Sequence, residues 1–276
     1  MCDLTSCGAP QHLPEIRVSR DARRRFIKGL AKLPLAAVLA IPQLSRAAAA
    51  RTETVSIARA DGSLISAALA LPDAARAPAI LLIHEWWGLN DQIKSVAAQF
   101  ADLGYVALAV DLYGQPATDD ADSARALMQS VDADAATDSL AHWIAWLKHH
   151  DATNGKVATI GWCFGGGWSL RASVAAPVDA SVIYYGDVAL EAESLRALHG
   201  PVLGHFATRD ARINAQMVGG FEQAMAQAGQ GERLRVHWYE ADHAFANPSS
   251  SRYDEPDAAL SWSRTVEFLR ANLFDG

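Results

Sequence analysis

The sequence is poor in cysteine: three occur in 276 residues, at positions 2, 7 and 163. That excludes a disulfide framework and any zinc site built on cysteine pairs. Long apolar runs are also missing. The best candidate, residues 33–44, spans 12 residues, whereas a membrane-spanning helix needs about 20. Metal-ligand spacing is absent too. Histidines 142, 149 and 150 share an expected helix without any cysteine, and His84-Glu85 lacks the second histidine of a zinc-protease motif. Neither pattern makes a metal site. Past residue 51 there is no internal repeat, linker or low-complexity tract, so the chain from there reads as one domain.

The N-terminus is different in kind. Arg23-Arg24-Arg25-Phe26-Ile27-Lys28 precedes an apolar stretch at 33–41, which is followed by Ser45-Arg46-Ala47-Ala48-Ala49-Ala50. A basic region, a short apolar core and an Ala-x-Ala site have the form of a secretory signal. The arginines beside Phe, Ile and Lys resemble a twin-arginine export signal. The expectation is a signal peptide and N-terminal extension at 1–49, a single catalytic domain at 51–276, and a periplasmic or otherwise exported location. Residues 1–49 carry eight Lys/Arg and three Asp/Glu, which leaves sixteen basic and twenty-eight acidic residues beyond them, a net charge of −12. So acidic a surface argues against a nucleic acid or an anionic membrane as partner, and against stable membrane association after export. Cys163 is also left as the only thiol, an oxidation liability that calls for a reason.

Beyond the leader, strands and helices alternate. Apolar runs at 79–83, 105–110, 156–160, 180–185 and 201–206 read as strands covered on both faces. A hairpin is expected around Asp61-Gly62, joining strands at 54–58 and 63–69. Helices are expected at 93–103, 123–131, 135–149, 168–176, 215–228 and 257–272, with a last strand at 234–239. This pattern predicts an α/β fold with a mostly parallel central sheet flanked by helices on both faces.

In such a sheet, function gathers at the carboxyl ends of the strands. There the chain has His84-Glu85-Trp86-Trp87-Gly88, then Gly161-Trp162-Cys163-Phe164-Gly165, then Asp210, then Asp242-His243-Ala244-Phe245. The second stretch is a Gly-x-nucleophile-x-Gly elbow, whose glycines leave no Cβ to collide with the neighbouring strand or helix. A thiol has a pKa of about 8.5 and needs a base to ionise at neutral pH. His243 is the candidate base, and Asp210 the residue that fixes its tautomer. The backbone N–H groups of Trp86 and Phe164 are the candidate oxyanion donors. Glu85 is an unusual carboxylate beside an apolar strand and two tryptophans.

Taken with Val110-Asp111-Leu112-Tyr113-Gly114, these stretches resemble the dienelactone hydrolase (carboxymethylenebutenolidase) family over residues 55–274. The resemblance implies an α/β-hydrolase fold, a Cys163-Asp210-His243 triad, no metal or organic cofactor, and a small-molecule ester or lactone substrate. It also implies that Glu85 rests on the thiol until substrate displaces it. Trp87, Tyr113, Arg125 and Asn247 are candidate substrate-binding residues. Members acting on dienelactone hold its carboxylate with two arginines; the matching positions here are Asn247 and Ala121, with Arg125 four residues on. Losing a bidentate clamp points to a neutral or bulkier ester or lactone. Two alternatives stand beside hydrolysis: a cysteine-dependent acyltransferase on the same fold, and a non-catalytic binding module.

Overall fold

The computed structural model describes residues 42–59 and 62–274. The arginine-rich stretch, most of the expected leader and Asp61 of the expected hairpin turn lie outside the described residues. The last eight residues of the 1–49 segment, Pro42–Ala49, form helix α1. Ala48 is buried with Ala98, and the Ser45 and Ser95 hydroxyls are 3.1 Å apart. Just past α1, Arg51 forms an ion pair with Asp102.

Among the described residues, eight strands form one sheet: β1 (Glu53–Ala58), β2 (Leu64–Ala70), β3 (Ala77–Ile83), β4 (Val106–Val110), β5 (Thr153–Trp162), β6 (Ala180–Tyr184), β7 (Val202–Ala207) and β8 (Leu234–Tyr239). Their order is β1-β2-β4-β3-β5-β6-β7-β8. Only the β1–β2 and β2–β4 pairs are antiparallel; the remaining pairs run parallel. Between strands come α2 (Asp91–Asp102), α3 (Ala121–Gln129), α4 (Ala133–His149), α5 (Phe164–Ala175), the short α6 (Ala192–Leu195), α7 (Ala215–Gln227) and finally α8 (Glu255–Leu273).

The expected fold class is what forms. Side chains of alternating parity along each strand feed two separate cores, as the two-residue period of a strand requires. Ile80, Leu82, Val182 and Tyr184 pack with Phe100 of α2 and Phe268 of α8. Leu81, Ile83, Val106 and Leu108 pack on the opposite face with Leu140 and Trp143 of α4. Farther along that second face, Ile183 and Phe206 meet Leu170 of α5 and Phe221 of α7. Both faces are covered, so β3 and β4 are buried along their whole length.

Most boundaries shift by one or two residues from expectation, and the two largest shifts bear on the elbow. Helix α5 begins at Phe164 rather than 168. Three consecutive glycines are poor helix formers, so propensity places the start too late; here they let the first turn press against the sheet. Strand β5 begins at Thr153 rather than 156, because Thr153 pairs with Ala77 across a register shift between Ala77 and Ala79. Because β3, β5, β6, β7 and β8 are mutually parallel, their carboxyl ends share one edge of the sheet.

Candidate active site

Cys163 occupies the tight junction between β5 and α5, with φ 52° and ψ −117°. An L-residue is held there only if its surroundings over-determine it. The Cys163 N–H donates to Tyr184 O at 2.9 Å, and its carbonyl accepts from Gly166 N–H at 3.0 Å. A Cβ on Gly161 would lie 1.9 Å from Gly165 O, and one on Gly165 would lie 2.2 Å from Ile83 O. The two flanking glycines are thus required by close backbone approach to α5 and β3. Among the described residues, the positive-φ non-glycines are Cys163, Tyr185 and Ala244. One is the elbow itself, one follows β6 and one follows His243. Strain is concentrated at this edge of the sheet.

The three residues expected to act together do meet. His243 Nε2 lies 3.1 Å from Cys163 Sγ, and His243 Nδ1 lies 2.5 Å from Asp210 Oδ2. The other carboxylate oxygen of Asp210 accepts from the N–H groups of Arg212 and Ile213, each at 2.9 Å. The loop after β7 therefore fixes the carboxylate before the histidine uses it. Burial raises the Asp210 carboxyl, but the His243 hydrogen bond and the Ile213 and Arg212 N–H groups outweigh it and hold the group low. Burial lowers His243, yet the hydrogen bonds to Asp210 and Cys163 overcome this and hold it up to about 10.

The loop after β3 is shaped from behind. The N–H of Leu112 donates to His84 Nε2 at 3.2 Å, so that nitrogen is the acceptor and the Nδ1–H faces Glu85 O at 2.6 Å. The Tyr113 hydroxyl donates to Trp86 O at 3.1 Å, and Asp111 Oδ1 accepts the N–H groups of Tyr113 and Gly114. These bonds tie the β4 loop to the β3 loop. Neither the Trp86 N–H nor the Phe164 N–H has a backbone acceptor among the described residues.

Glu85 departs from what the resemblance implies. Among the described residues no hydrogen bond joins it to Cys163; the thiol is engaged by His243 instead. Glu85 is only 6 % exposed, with Oε2 accepting from Asn247 Nδ2 at 2.5 Å and Oε1 facing the Tyr185 hydroxyl at 3.5 Å. Burial raises its carboxyl, opposed by Asn247, His243, Tyr185 and Arg252.

Of the candidate substrate-binding residues, Trp87 is half-buried and packs on Trp86 with ring centroids 4.6 Å apart. Tyr113 packs edge-on to His84 at 4.7 Å, with its hydroxyl spent on the loop. Arg125 is exposed and pairs with Asp122 of its own helix at 2.8 Å. Ala121 opens α3 and is exposed. Asn247 is buried and faces Glu85. Sequence reasoning missed Tyr185, whose ring packs on His243 with centroids 5.2 Å apart, and Gln92, which reaches Asn247. Neither belongs to a motif. The only signal for Tyr185 is its place at a strand end.

Residues 65–273 match the family described as Dienelactone hydrolase family. A carboxymethylenebutenolidase of Pseudomonas putida is 33% identical over 231 residues, covering 79% of this chain and 96% of the relative. A second, from Pseudomonas sp. strain P51, is 30% identical over 232 residues, covering 79% and 95%. Among solved structures, a dienelactone hydrolase-like promiscuous phosphotriesterase from metagenomic libraries superimposes with a TM-score of 0.72 at 24% identity, covering 81% of this chain and 100% of that one. A thermophilic esterase from Thermogutta terrifontis gives a TM-score of 0.60 at 17% identity, covering 81% and 93%. At those identities the structures speak for the fold alone.

Proposed function

Because the chain belongs to the dienelactone hydrolase family and is a hydrolase, we propose that it cleaves an ester or lactone through an acyl-cysteine intermediate on Cys163. The observation that carries this reading is the continuous line Asp210–His243–Cys163 at the ends of three parallel strands. The Cys163 thiolate attacks the carbonyl carbon, and the resulting oxyanion takes hydrogen bonds from the Trp86 and Phe164 N–H groups. As the tetrahedral intermediate collapses, the imidazolium of His243 gives its proton to the departing alkoxide, leaving a thioester. His243 then takes a proton from water, the hydroxide attacks the thioester, and the acid leaves as the thiol is restored. Asp210 orients the ring and stabilises its charge. Glu85 acts on this couple from beside it, since its oxygens face Asn247 and Tyr185 rather than sulfur.

The relatives are carboxymethylenebutenolidases, whose name implies an anionic lactone. In this chain a neutral ester or lactone fits better. Asn247 stands at one clamp position with its amide turned to Glu85, Ala121 at the other, and Arg125 is paired with Asp122. Turnover of p-nitrophenyl acetate, neutral lactones and dienelactone by wild type and Cys163→Ser tests both points. We expect a loss of about 10³-fold or more in Cys163→Ser and a preference for neutral substrates. Equal turnover by the two proteins removes the nucleophile, and a preference for dienelactone removes the neutral-substrate reading. The protein is further proposed to be exported, on the strength of the arginine-rich leader. Fractionation that finds it wholly cytoplasmic overturns this.

A further inference from the structure

His84 stands one residue past β3 and is 0 % exposed. The elbow presses on it: a Cβ on Gly165 would lie 2.5 Å from its carbonyl oxygen, and its ring stacks on that of Phe164 with centroids 5.9 Å apart. The imidazole has one proton order. The Leu112 N–H donates to Nε2 at 3.2 Å, so Nε2 is bare and the proton sits on Nδ1, which donates to Glu85 O at 2.6 Å. Burial favours this neutral ring by lowering its pKa, opposed by the bond to the Glu85 carbonyl and by the charge on Asp111. The acceptor is one half of a peptide unit whose other half is the Trp86 N–H. A peptide unit is planar, and a trans one carries its C=O and its N–H on opposite sides; no peptide bond among the described residues is cis. Whatever holds Glu85 O therefore fixes the direction in which the Trp86 N–H points. The Gly88 N–H donates to the same oxygen at 3.2 Å.

We propose that His84 is a positioning residue that aims the Trp86 N–H at the oxyanion, by holding the carbonyl of the same peptide unit from behind. From the Leu112 N–H through the ring to Glu85 O the donors all point one way. Each bond polarises the next, so the Trp86 N–H at the end of the series becomes a stronger donor. The Tyr113 hydroxyl, 3.1 Å from Trp86 O, anchors the following peptide unit, and the Trp86 N–H thus lies between two held carbonyls. Stacking on Phe164 sets the same imidazole against the residue that carries the other donor. Among the described hydrogen bonds His84 reaches neither Cys163 nor His243, so it acts through the Glu85–Trp86 peptide unit. An oxyanion depends on the direction of that N–H far more than a ground-state carbonyl does, which places the effect in the transition state. The proposal rests on the reading of the Trp86 and Phe164 N–H groups as oxyanion donors for Cys163.

The test compares wild type, His84→Leu and His84→Gln on the full chain. Leucine keeps the bulk and neither bond, whereas the glutamine amide keeps one donor and one acceptor. Three quantities are read: kcat and KM for p-nitrophenyl acetate, the rate of Cys163 alkylation by iodoacetamide, and the concentration of trifluoroacetophenone that halves that rate. The thiolate adds to the ketone carbon as the carbonyl π pair moves to oxygen, so this adduct carries an oxyanion and loses no group. Alkylation displaces iodide and forms no oxyanion. In His84→Leu, kcat is expected to fall by about 100-fold, the size of losing one oxyanion donor, and protection by the ketone to weaken by a similar factor. KM should stay within about threefold and alkylation within about twofold of wild type. His84→Gln should recover kcat to within about tenfold of wild type. A wild-type kcat in His84→Leu overturns the proposal, as does an alkylation rate that falls along with kcat, and so does a glutamine variant no better than the leucine one. If His84→Leu does not fold, His84→Gln is read by the same split, and the imidazole nitrogen resonances of the wild type must show Nδ1 protonated and Nε2 bare; the other tautomer overturns the proposal. Alkylation and ketone protection are read without turnover. The hydrolase reading fails separately, if Cys163→Ser keeps its turnover.

Discussion

Two histidines, the partly buried His243 and the fully buried His205, are driven in opposite directions. His243 sits past the end of β8 between a carboxylate and a thiol, and is held up to about 10. His205 lies inside β7, fully buried against α8, and is pushed well below its ordinary value by burial, with His237 and Arg264 adding to the effect. Its partners are hydroxyls: Tyr239 at 2.8 Å on Nδ1 and Thr265 at 3.0 Å on Nε2. Thr265 also meets Tyr184 at 2.7 Å, and Arg264 donates to Tyr239 at 3.1 Å. One proton order satisfies the whole chain, with Arg264 donating to Tyr239, Tyr239 to His205, and neutral His205 to Thr265. Burial lowers both; it prevails in His205 and is overcome in His243. A carboxylate partner turns one into a charge-bearing group, and hydroxyl partners leave the other a neutral link that ties α8 to the sheet.

The largest expected effect that sharpens this contrast is on catalysis. His243→Ala should lower kcat/KM by about 10⁴-fold or more, whereas His205→Leu should leave kcat/KM within about twofold. Parallel ester assays check both, and a comparable loss of activity in His205→Leu breaks the division. Next, Asp210→Asn removes the carboxylate that fixes the tautomer and should lower kcat by about 10⁴-fold. It should also bring the His243 titration down from about 10, which imidazole proton resonances followed against pH would record.

Smaller effects concern stability. His205→Leu leaves hydroxyls of Tyr239 and Thr265 short of a partner, so a loss of about 2 kcal/mol and a Tm lower by about 5 °C are expected in calorimetry. Thr265→Val should cost about 1 kcal/mol, since Tyr184 and His205 each lose one bond.

The two histidines also predict opposite pH dependence of stability. His205 is depressed in the folded state, so the unfolded chain binds its proton first. Its contribution is present above the ordinary histidine pKa of about 6.5 and is lost as pH falls below that. His243 is raised, so its contribution is full below about 6.5 and is lost as pH rises through about 10. Chemical denaturation at pH 5, 7 and 10 should show the acid loss diminished in His205→Leu and the alkaline loss diminished in His243→Ala. Unchanged slopes in both variants would remove the electrostatic account.

Much of this was legible in the residues. The alternation of apolar runs is local, so it carried the α/β fold and its parallel sheet. Glycines at 161 and 165 around a cysteine carried the elbow, because steric exclusion of a Cβ is also local. Asp210 and His243 could be picked out because strand ends are where such sheets place polar groups. The start of α5 escaped, since three glycines read as a turn until the sheet packs against them. The partners of Glu85 escaped as well, because Asn247 and Tyr185 stand 162 and 100 positions away from it.

The sequence by itself determined which groups could react and along which edge they would stand, because periodicity and glycine sterics act over a few residues. Only the tertiary structure decided which of them carry charge. That depends on neighbours brought within about 3 Å from distant parts of the chain and on the water removed from around them, and no local pattern encodes either.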